Sequence, residues 1–213
     1  MKLYSSPLSP YAARCRMVIY WTGLPVQIRQ VTSAEDLAVV RQLSPLGKYP
    51  ILVEGDFRLL ESQVIAEYLA QHSGLVSLLP EGLQAHSTVA MVCRIADLYL
   101  MANMAILFNH LSRKRRDQQV VDRCLAEMDK GFATLEQLLG SGRYAMGDAP
   151  SLADCCLFPI LLLLSAYLAY FDRAEPFSAW PALNRYWQAV QSDPVCARVG
   201  AEMRDEIARR QQA

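Results

Sequence analysis

A serine and a proline, Ser9-Pro10, stand between the first strand candidate and the helix that follows it. Serine is a favoured N-cap residue, and proline suits the first helical position. A side chain at this place lies beside unpaired backbone N–H groups and the positive end of the helix dipole, which favour a bound anion. The Ser9 hydroxyl cannot carry out thiol–disulfide exchange, but it can donate a hydrogen bond to a thiolate and lower the pKa of that thiol. Ser9 is therefore a candidate for thiolate binding, and the simpler alternative is an N-cap alone.

A second candidate is Tyr49-Pro50, which precedes a predicted strand at Ile51-Leu52-Val53. Proline removes a backbone donor, so it suits the opening of a strand better than its interior. A cis bond before Pro50 would turn the backbone N–H and C=O of Tyr49 towards a ligand. An ordinary turn proline is the alternative interpretation.

The third candidate is Glu61-Ser62, at the start of a helix predicted to run to about His72. Ser62, as the helix cap, and the first backbone N–H groups can hold a carboxylate. Glu61 can hold an ammonium group, so the pair suits the head group of one α-amino acid. A capped helix with a surface glutamate is the simpler explanation.

The elements that must position these residues alternate in the first part of the chain. Strands are predicted at 2–4, 26–31, 51–53 and 58–60, and helices at 10–23, 34–43 and 62–72. A strand–helix–strand start requires a parallel pair with a right-handed crossover. A hairpin and a helix then complete a small mixed sheet. The order predicts a thioredoxin-like α/β domain over residues 1–78.

The rest of the chain is predicted to be helical, after a linker at 74–82. Helices are expected at 85–109 and 117–139 and from Ser151, Pro181 and Pro194. Ser151 and Asp154 form a capping box, with aspartate in place of the usual glutamate, which points to folding rather than chemistry. The pattern predicts an all-α C-terminal domain over residues 84–213.

Composition argues against several classes of protein. Lys plus Arg and Asp plus Glu number 21 each, so direct nucleic-acid binding through bulk charge is not expected. The six cysteines form no Cys-x-x-Cys and no zinc-type spacing with the three histidines. We therefore expect no metal and a reduced, cytoplasmic setting without a signal peptide. The uncharged run from Cys155 to Phe171 contains Pro159 and is expected to be a buried core helix rather than a membrane span.

Together these segments resemble the glutathione-transferase superfamily, as a serine-type bacterial member, over nearly the whole chain. The resemblance is carried by Leu43–Leu52, Leu60-Glu61-Ser62, Ile65–Leu69 and the Ser151–Asp154 capping box. It implies the glutathione-transferase fold, a thioredoxin-like domain followed by an all-α domain. It also implies a homodimer.

The resemblance assigns roles to the binding candidates. Pro50 would be the cis-proline, and Tyr49 would meet the cysteinyl backbone of glutathione. Glu61 and Ser62 would hold the γ-glutamyl head, and Lys48 would reach the glycine carboxylate. Tyr49 replaces the small β-branched residue usual in the family, which would crowd the site.

The resemblance also makes Ser9 the residue that activates the glutathione thiol. Ser5 and Ser6 are alternatives, because theta-like classes place their serine earlier in this loop. Tyr4 and Tyr11 are further candidates. The implied activity is transfer of the glutathione thiolate to a small hydrophobic electrophile, held by an apolar pocket from residues 99–110.

Two other functions remain open on the sequence. A second resemblance is to the stringent starvation protein A family, and it is carried by Tyr11 with Arg16-Met17-Val18, by Ser151–Pro159 and by Ala201–Arg204. It implies an RNA polymerase-associated regulator without transferase activity. The segment after His72 lacks the His/Pro-rich loop of that family. A zeta-type glutathione-dependent isomerase, which shares a serine-rich first loop, is the third hypothesis.

Overall fold

The computed structural model describes residues 1–212 and contains two compact units. The first comprises Met1–Pro80 together with the chain from Gln191 onward, and the second is Glu81–Val190.

The first unit is built on a mixed sheet with the strand order β2-β1-β3-β4. The strands are β1 at Lys2–Ser5, β2 at Gln27–Gln30, β3 at Ile51–Glu54 and β4 at Phe57–Leu59. β1 is parallel to β2 and antiparallel to β3, and β3 forms a hairpin with β4. The thioredoxin-like order predicted from the sequence is confirmed.

Three helices complete this part of the unit: α1 at Pro10–Thr22, α2 at Ala34–Leu43 and α3 at Ser62–Ser73. Helix α1 ends as predicted, since Gly23 adopts φ 66° and its N–H donates to the Ile19 carbonyl. α1 and α3 pack against each other. Their fully buried side chains include Met17 and Ile65, and burying such a side chain stabilises the fold by roughly 1.5–3 kcal/mol.

The second unit is helical. Its helices are α4 at Leu83–Ile95, α5 at Ala102–Leu107, α6 at Gln118–Leu138, α7 at Leu152–Tyr167 and α8 at Pro181–Val190. A π-helical segment, Ala96–Met101, joins α4 to α5. The all-helical prediction is confirmed for these residues.

Helix α7 forms the core of the second unit. Every residue from Leu152 to Leu164 is buried. The capping box predicted at its start is present, because the Ser151 N–H and hydroxyl donate to Asp154 Oδ2 at 2.9 and 3.0 Å. Burial raises the pKa of Asp154 to about 6, against the hydrogen bonds from the Ala145 and Ser151 N–H groups.

Two stretches of the described chain, Leu83–His110 and Leu152–Phe171, are long and apolar enough to cross a membrane by length and composition. In Leu152–Phe171, 78% of the most apolar segment is buried within the protein. The core helix of a soluble protein can have the same length and composition. The burial agrees with the core helix expected there.

The last helix, α9 at Pro194–Gln211, belongs to the first compact unit and packs against α1. The fully buried Arg16 donates from Nε to Glu202 at 2.9 Å, and the Tyr20 hydroxyl donates to the other oxygen of that carboxylate at 2.9 Å. Helix α9 therefore lies in the same compact unit as the sheet. The domain boundaries at 1–78 and 84–213, which divide the chain by sequence, stay a prediction.

Candidate functional site

The sheet brings two of the candidate segments to one edge. Tyr4 is opposite Ile51 in the β1–β3 ladder, so Pro50 lies beside the residues that follow Tyr4. Those residues lead directly to Ser9. The Tyr49–Pro50 peptide bond is cis, as the family resemblance implies.

Ser9 caps α1. Its backbone is extended, and its hydroxyl oxygen accepts a hydrogen bond from the Ala12 N–H at 3.3 Å. The side chain is half-buried. Because the oxygen accepts, the hydroxyl proton can be donated to a ligand. The structure describes the whole first turn of α1, and this turn carries no acidic residue. The positive end of the helix dipole therefore stays available to an anion.

The other two serines of this loop are engaged with Arg16. The Ser5 hydroxyl and the Ser6 carbonyl both accept from Arg16 Nη1 at 2.8 Å, and the Pro7 carbonyl accepts from Nη2 at 2.9 Å. Ser5 is fully buried and Ser6 is 3% exposed. These contacts give Ser5 and Ser6 a role in satisfying a buried guanidinium, whereas Ser9 is half-exposed.

The start of α3 differs from the sequence prediction. The N-cap is Glu61, not Ser62, and Glu61 adopts φ 67°, in the left-handed region that few residues other than glycine adopt. Ser62 is the first helical residue and is 7% exposed. The prediction of Ser62 as the cap was wrong because Glu61 adopts the non-helical cap conformation and α3 already begins at Ser62. The Ser62 hydroxyl accepts from Arg14. Glu61 itself is exposed.

Helix α1 supports the start of α3 through two further residues, Arg14 and Cys15, which no sequence motif indicated. Arg14 Nη1 donates to Ser62 Oγ at 3.3 Å and to Gln63 Oε1 at 3.1 Å. The Cys15 thiol donates to the Ser62 carbonyl at 3.5 Å. In the sequence, Arg14 is one of two arginines in α1 and Cys15 is one of six cysteines, and neither residue type by itself indicates a supporting role.

Cys15 itself is not a candidate nucleophile. Burial raises the pKa of the Cys15 thiol to about 12, although the nearby Arg14 and Arg16 charges act in the opposite direction. A buried thiol of this kind stays protonated and unreactive at neutral pH. The described residues also contain no group of three or more His, Cys, Asp or Glu side chains placed to hold a metal ion.

The remaining candidates occupy different environments. Tyr49 is half-buried and packs against a cluster of Val31, Val40 and Ile51, as does Tyr4. Hydrophobic packing therefore engages the Tyr49 ring that was expected to crowd the site. Lys48 is exposed.

Tyr11 is half-buried in the first turn of α1. The Arg14 guanidinium lies 5.7 Å from the centre of its ring. At that distance the ring and the cation attract each other.

Family models match both halves of the chain. Residues 3–77 match the glutathione S-transferase N-terminal domain, and residues 118–189 match the glutathione S-transferase C-terminal domain.

Curated relatives agree with the family models. Glutathione S-transferase 1 of Dianthus caryophyllus is 32% identical over 169 residues, covering 76% of each chain. A stringent starvation protein A homolog of Coxiella burnetii is 32% identical over 166 residues, covering 76% of this chain and 74% of that protein. A maleylacetoacetate isomerase of Pseudomonas aeruginosa is 28% identical over 204 residues, covering 91% and 92%.

Solved structures share the fold. A glutathione S-transferase from Methylobacillus flagellatus, solved with glutathione bound, superposes with a TM-score of 0.79 at 25% identity, covering 93% of this chain and 98% of that one. The protein belongs to the glutathione S-transferase superfamily. Its thioredoxin-like unit and its helical unit agree with the fold of that superfamily.

Proposed function

We propose that the protein is a glutathione transferase in which Ser9 activates the thiol of glutathione for attack on a small hydrophobic electrophile. One observation carries the proposal: Ser9 caps a helix whose first turn, within the described chain, has no acidic residue, and its hydroxyl oxygen accepts from Ala12. The hydroxyl proton and the helix dipole both favour a thiolate at this position.

The energy required is within reach of these two effects. A free cysteine-type thiol has a pKa of about 8.5, and lowering it by about two units requires roughly 2.7 kcal/mol of preferential thiolate stabilisation. A hydrogen bond to a charged group contributes roughly 1.5–3 kcal/mol, and a helix terminus roughly 0.3–1 kcal/mol.

The rest of the proposed site binds the peptide part of glutathione. Tyr49, before Pro50, offers its backbone to the cysteinyl unit, and Lys48 reaches the glycine carboxylate. Glu61 and Ser62 hold the γ-glutamyl head group. The cis bond at Pro50, the exposure of Glu61 and the position of Ser62 at the N-terminus of α3 support this arrangement.

Calorimetry with glutathione tests the proposal most cheaply. We expect saturable binding at millimolar glutathione or below, weakened by Glu61→Gln and unaffected by Glu81→Gln. Glu81 is an exposed residue of the second unit and serves as the matched control. Absence of binding by the wild-type protein contradicts the transferase proposal.

Two other functions are supported by specific relatives. Similarity to the stringent starvation protein A homolog supports a regulator that associates with RNA polymerase. Similarity to the maleylacetoacetate isomerase supports a zeta-type isomerase. Co-purification of RNA polymerase without glutathione binding would favour the regulator. Turnover of maleylacetoacetate without net consumption of glutathione would favour the isomerase.

We further propose that the protein is a cytoplasmic homodimer. Leu83 and Met91 are exposed and lie eight residues apart on α4, which places them on the same side of that helix. Leu98, in the π-helical segment that follows α4, is also exposed. Exposed Tyr99 and Ile106 supply apolar surface for an electrophile. Light scattering should report twice the chain mass, and Met91→Lys should reduce it. A wild-type monomer contradicts the dimer.

A further inference from the structure

Arg14 is a charged residue buried beneath the start of α3. It is 1% exposed, so it cannot itself meet a ligand in solution. Its Nη1 atom is 3.3 Å from Ser62 Oγ and 3.1 Å from Gln63 Oε1. The first two residues of α3 are therefore held by one guanidinium from α1.

This contact fixes how the Ser62 hydroxyl can act. Arginine donates and never accepts, so Ser62 Oγ must be the acceptor in this hydrogen bond. The hydroxyl proton then points elsewhere, and Ser62 is set to donate to a further group. A carboxylate oxygen accepts such a bond, whereas an ammonium group cannot.

Gln63 is fixed in the same way. Its Oε1 accepts from Arg14, and its Nε2 donates to Glu67 Oε1 at 2.9 Å. Both ends of the amide are engaged, which orients the side chain along the first turn of α3. The positive charge of Arg14 and the helix N-terminus therefore act in the same direction at Ser62, towards an anion.

We propose that Arg14 is a positioning residue that makes this end of the site selective for a carboxylate, through the Ser62 hydroxyl. The ligand group is the α-carboxylate of the γ-glutamyl head, so the inference rests on the proposed function. The alternative is that Arg14 only packs helix α1 against α3 and stacks on Tyr11. A packing role would not discriminate between ligands that differ by one charged group.

The test compares three thiol peptides by calorimetry. They are glutathione, γ-aminobutyryl-Cys-Gly, which lacks the α-carboxylate, and glutaryl-Cys-Gly, which lacks the α-ammonium. For the wild-type protein we expect loss of the carboxylate to weaken binding by about 100-fold, the size expected for losing a hydrogen bond to a charged group. We expect Arg14→Met to reduce that ratio to below about ten-fold, with Arg14→Lys intermediate because it keeps the charge but not the fork of donors.

Discrimination against glutaryl-Cys-Gly should be the same in Arg14→Met as in the wild-type protein. The carboxylate ratio is the affinity for glutathione divided by the affinity for γ-aminobutyryl-Cys-Gly. Ser62→Ala should lower this ratio as Arg14→Met does. The double variant, Arg14→Met with Ser62→Ala, should have the same ratio as Ser62→Ala alone. An unchanged carboxylate ratio in Arg14→Met would overturn the inference while leaving the proposed function intact.

The binding ratios of the wild-type protein and of Ser62→Ala test the inference even if Arg14→Met does not fold. If thermal unfolding shows that Arg14→Met is not folded, the wild-type ratio and the Ser62→Ala ratio decide the question. Equal affinity of the wild-type protein for glutathione and γ-aminobutyryl-Cys-Gly contradicts the inference, as does an unchanged ratio in Ser62→Ala. Failure of the wild-type protein to bind glutathione contradicts both the proposed function and the inference.

Discussion

Helices α1 and α7 both begin after a serine cap, but the two caps are built differently. At α7, the Ser151 hydroxyl donates to Asp154 at 3.0 Å, and both residues are buried. At α1, the corresponding third position is Ala12, which donates its N–H to Ser9 and has no side-chain acceptor. The Ser151 hydroxyl proton is therefore used in a hydrogen bond within the protein, whereas the Ser9 hydroxyl proton can be donated to a ligand.

The residue three positions after the cap decides between these roles. Helix α2 follows the pattern of α7, because Ser33 and Asp36 form a capping box. At α1 the position is an alanine, so no side-chain acceptor there takes the Ser9 proton. A carboxylate at that place would also repel a thiolate. The comparison indicates that a serine cap without an acidic partner is the better candidate for anion chemistry.

The largest expected effect is a loss of stability at the α7 cap, formed by Ser151 and Asp154. Asp154→Ala leaves the buried N–H groups of Ala145 and Ser151 without their acceptor, and each such loss costs roughly 1–3 kcal/mol. We expect a destabilisation of about 3 kcal/mol in urea unfolding, whereas Asp122→Ala, on the exposed side of α6, should stay within about 0.5 kcal/mol. Equal effects of the two changes would contradict the structural role.

At the other cap the effect should appear in activity. Ser9→Ala should lower kcat/KM for an aromatic electrophile such as chlorodinitrobenzene by about 100-fold, the effect seen when a preorganised donor to a developing or bound anion is removed. Ser33→Ala is the matched control, since it also removes a serine cap at a cost of about 1 kcal/mol of stability. Its kcat/KM should be unchanged, and a similar loss in both variants would point to a general stability effect.

Ser5→Ala separates the two serines of the first loop. It removes an acceptor of the buried Arg16, so we expect a loss of roughly 1–3 kcal/mol in stability. Glutathione turnover per folded molecule should be retained. A kcat/KM loss as large as that of Ser9→Ala, at full folding, would move thiol activation to Ser5.

The smallest expected effect is a pH dependence at the α2 cap. The Thr32 N–H, with Arg29 and Ser33, holds the pKa of Asp36 at about 2, below its ordinary value of 3.8, despite the effect of burial. A lowered folded-state pKa means that the stabilisation is present above about pH 4 and is lost as the pH falls towards 2. Asp36→Asn should flatten this part of the stability profile measured by urea unfolding. The same slope in both proteins would contradict the assignment.

Local signals explain how much of the fold the sequence predicts. Gly23 ends α1, and Pro181 and Pro194 begin α8 and α9, because each acts through its own backbone geometry. Glu61 gave no such signal, since a positive φ in a glutamate depends on the surrounding structure. The grouping of α9 with the sheet was also hidden, because an amphipathic pattern shows that a helix packs but not against what.

The candidate site also contains residues that local sequence signals indicate and residues that they do not. Ser9 and Pro50 were selected because a cap and a strand-opening proline are visible in a few residues. Arg14 was not, since its burial depends on Ser62 and Gln63, which are far from it in the sequence. Buried charges of this kind become visible only when the tertiary partners are known.

The most direct test of the account is a titration of the glutathione thiol bound to the protein, followed by the ultraviolet absorbance of the thiolate. In the wild-type protein we predict a thiol pKa about two units below its free value of about 8.5. In Ser9→Ala we predict a pKa at least about one unit higher than in the wild-type complex, because the hydroxyl donor is gone while the helix dipole remains. The same bound-thiol pKa in both proteins would contradict the central role of Ser9.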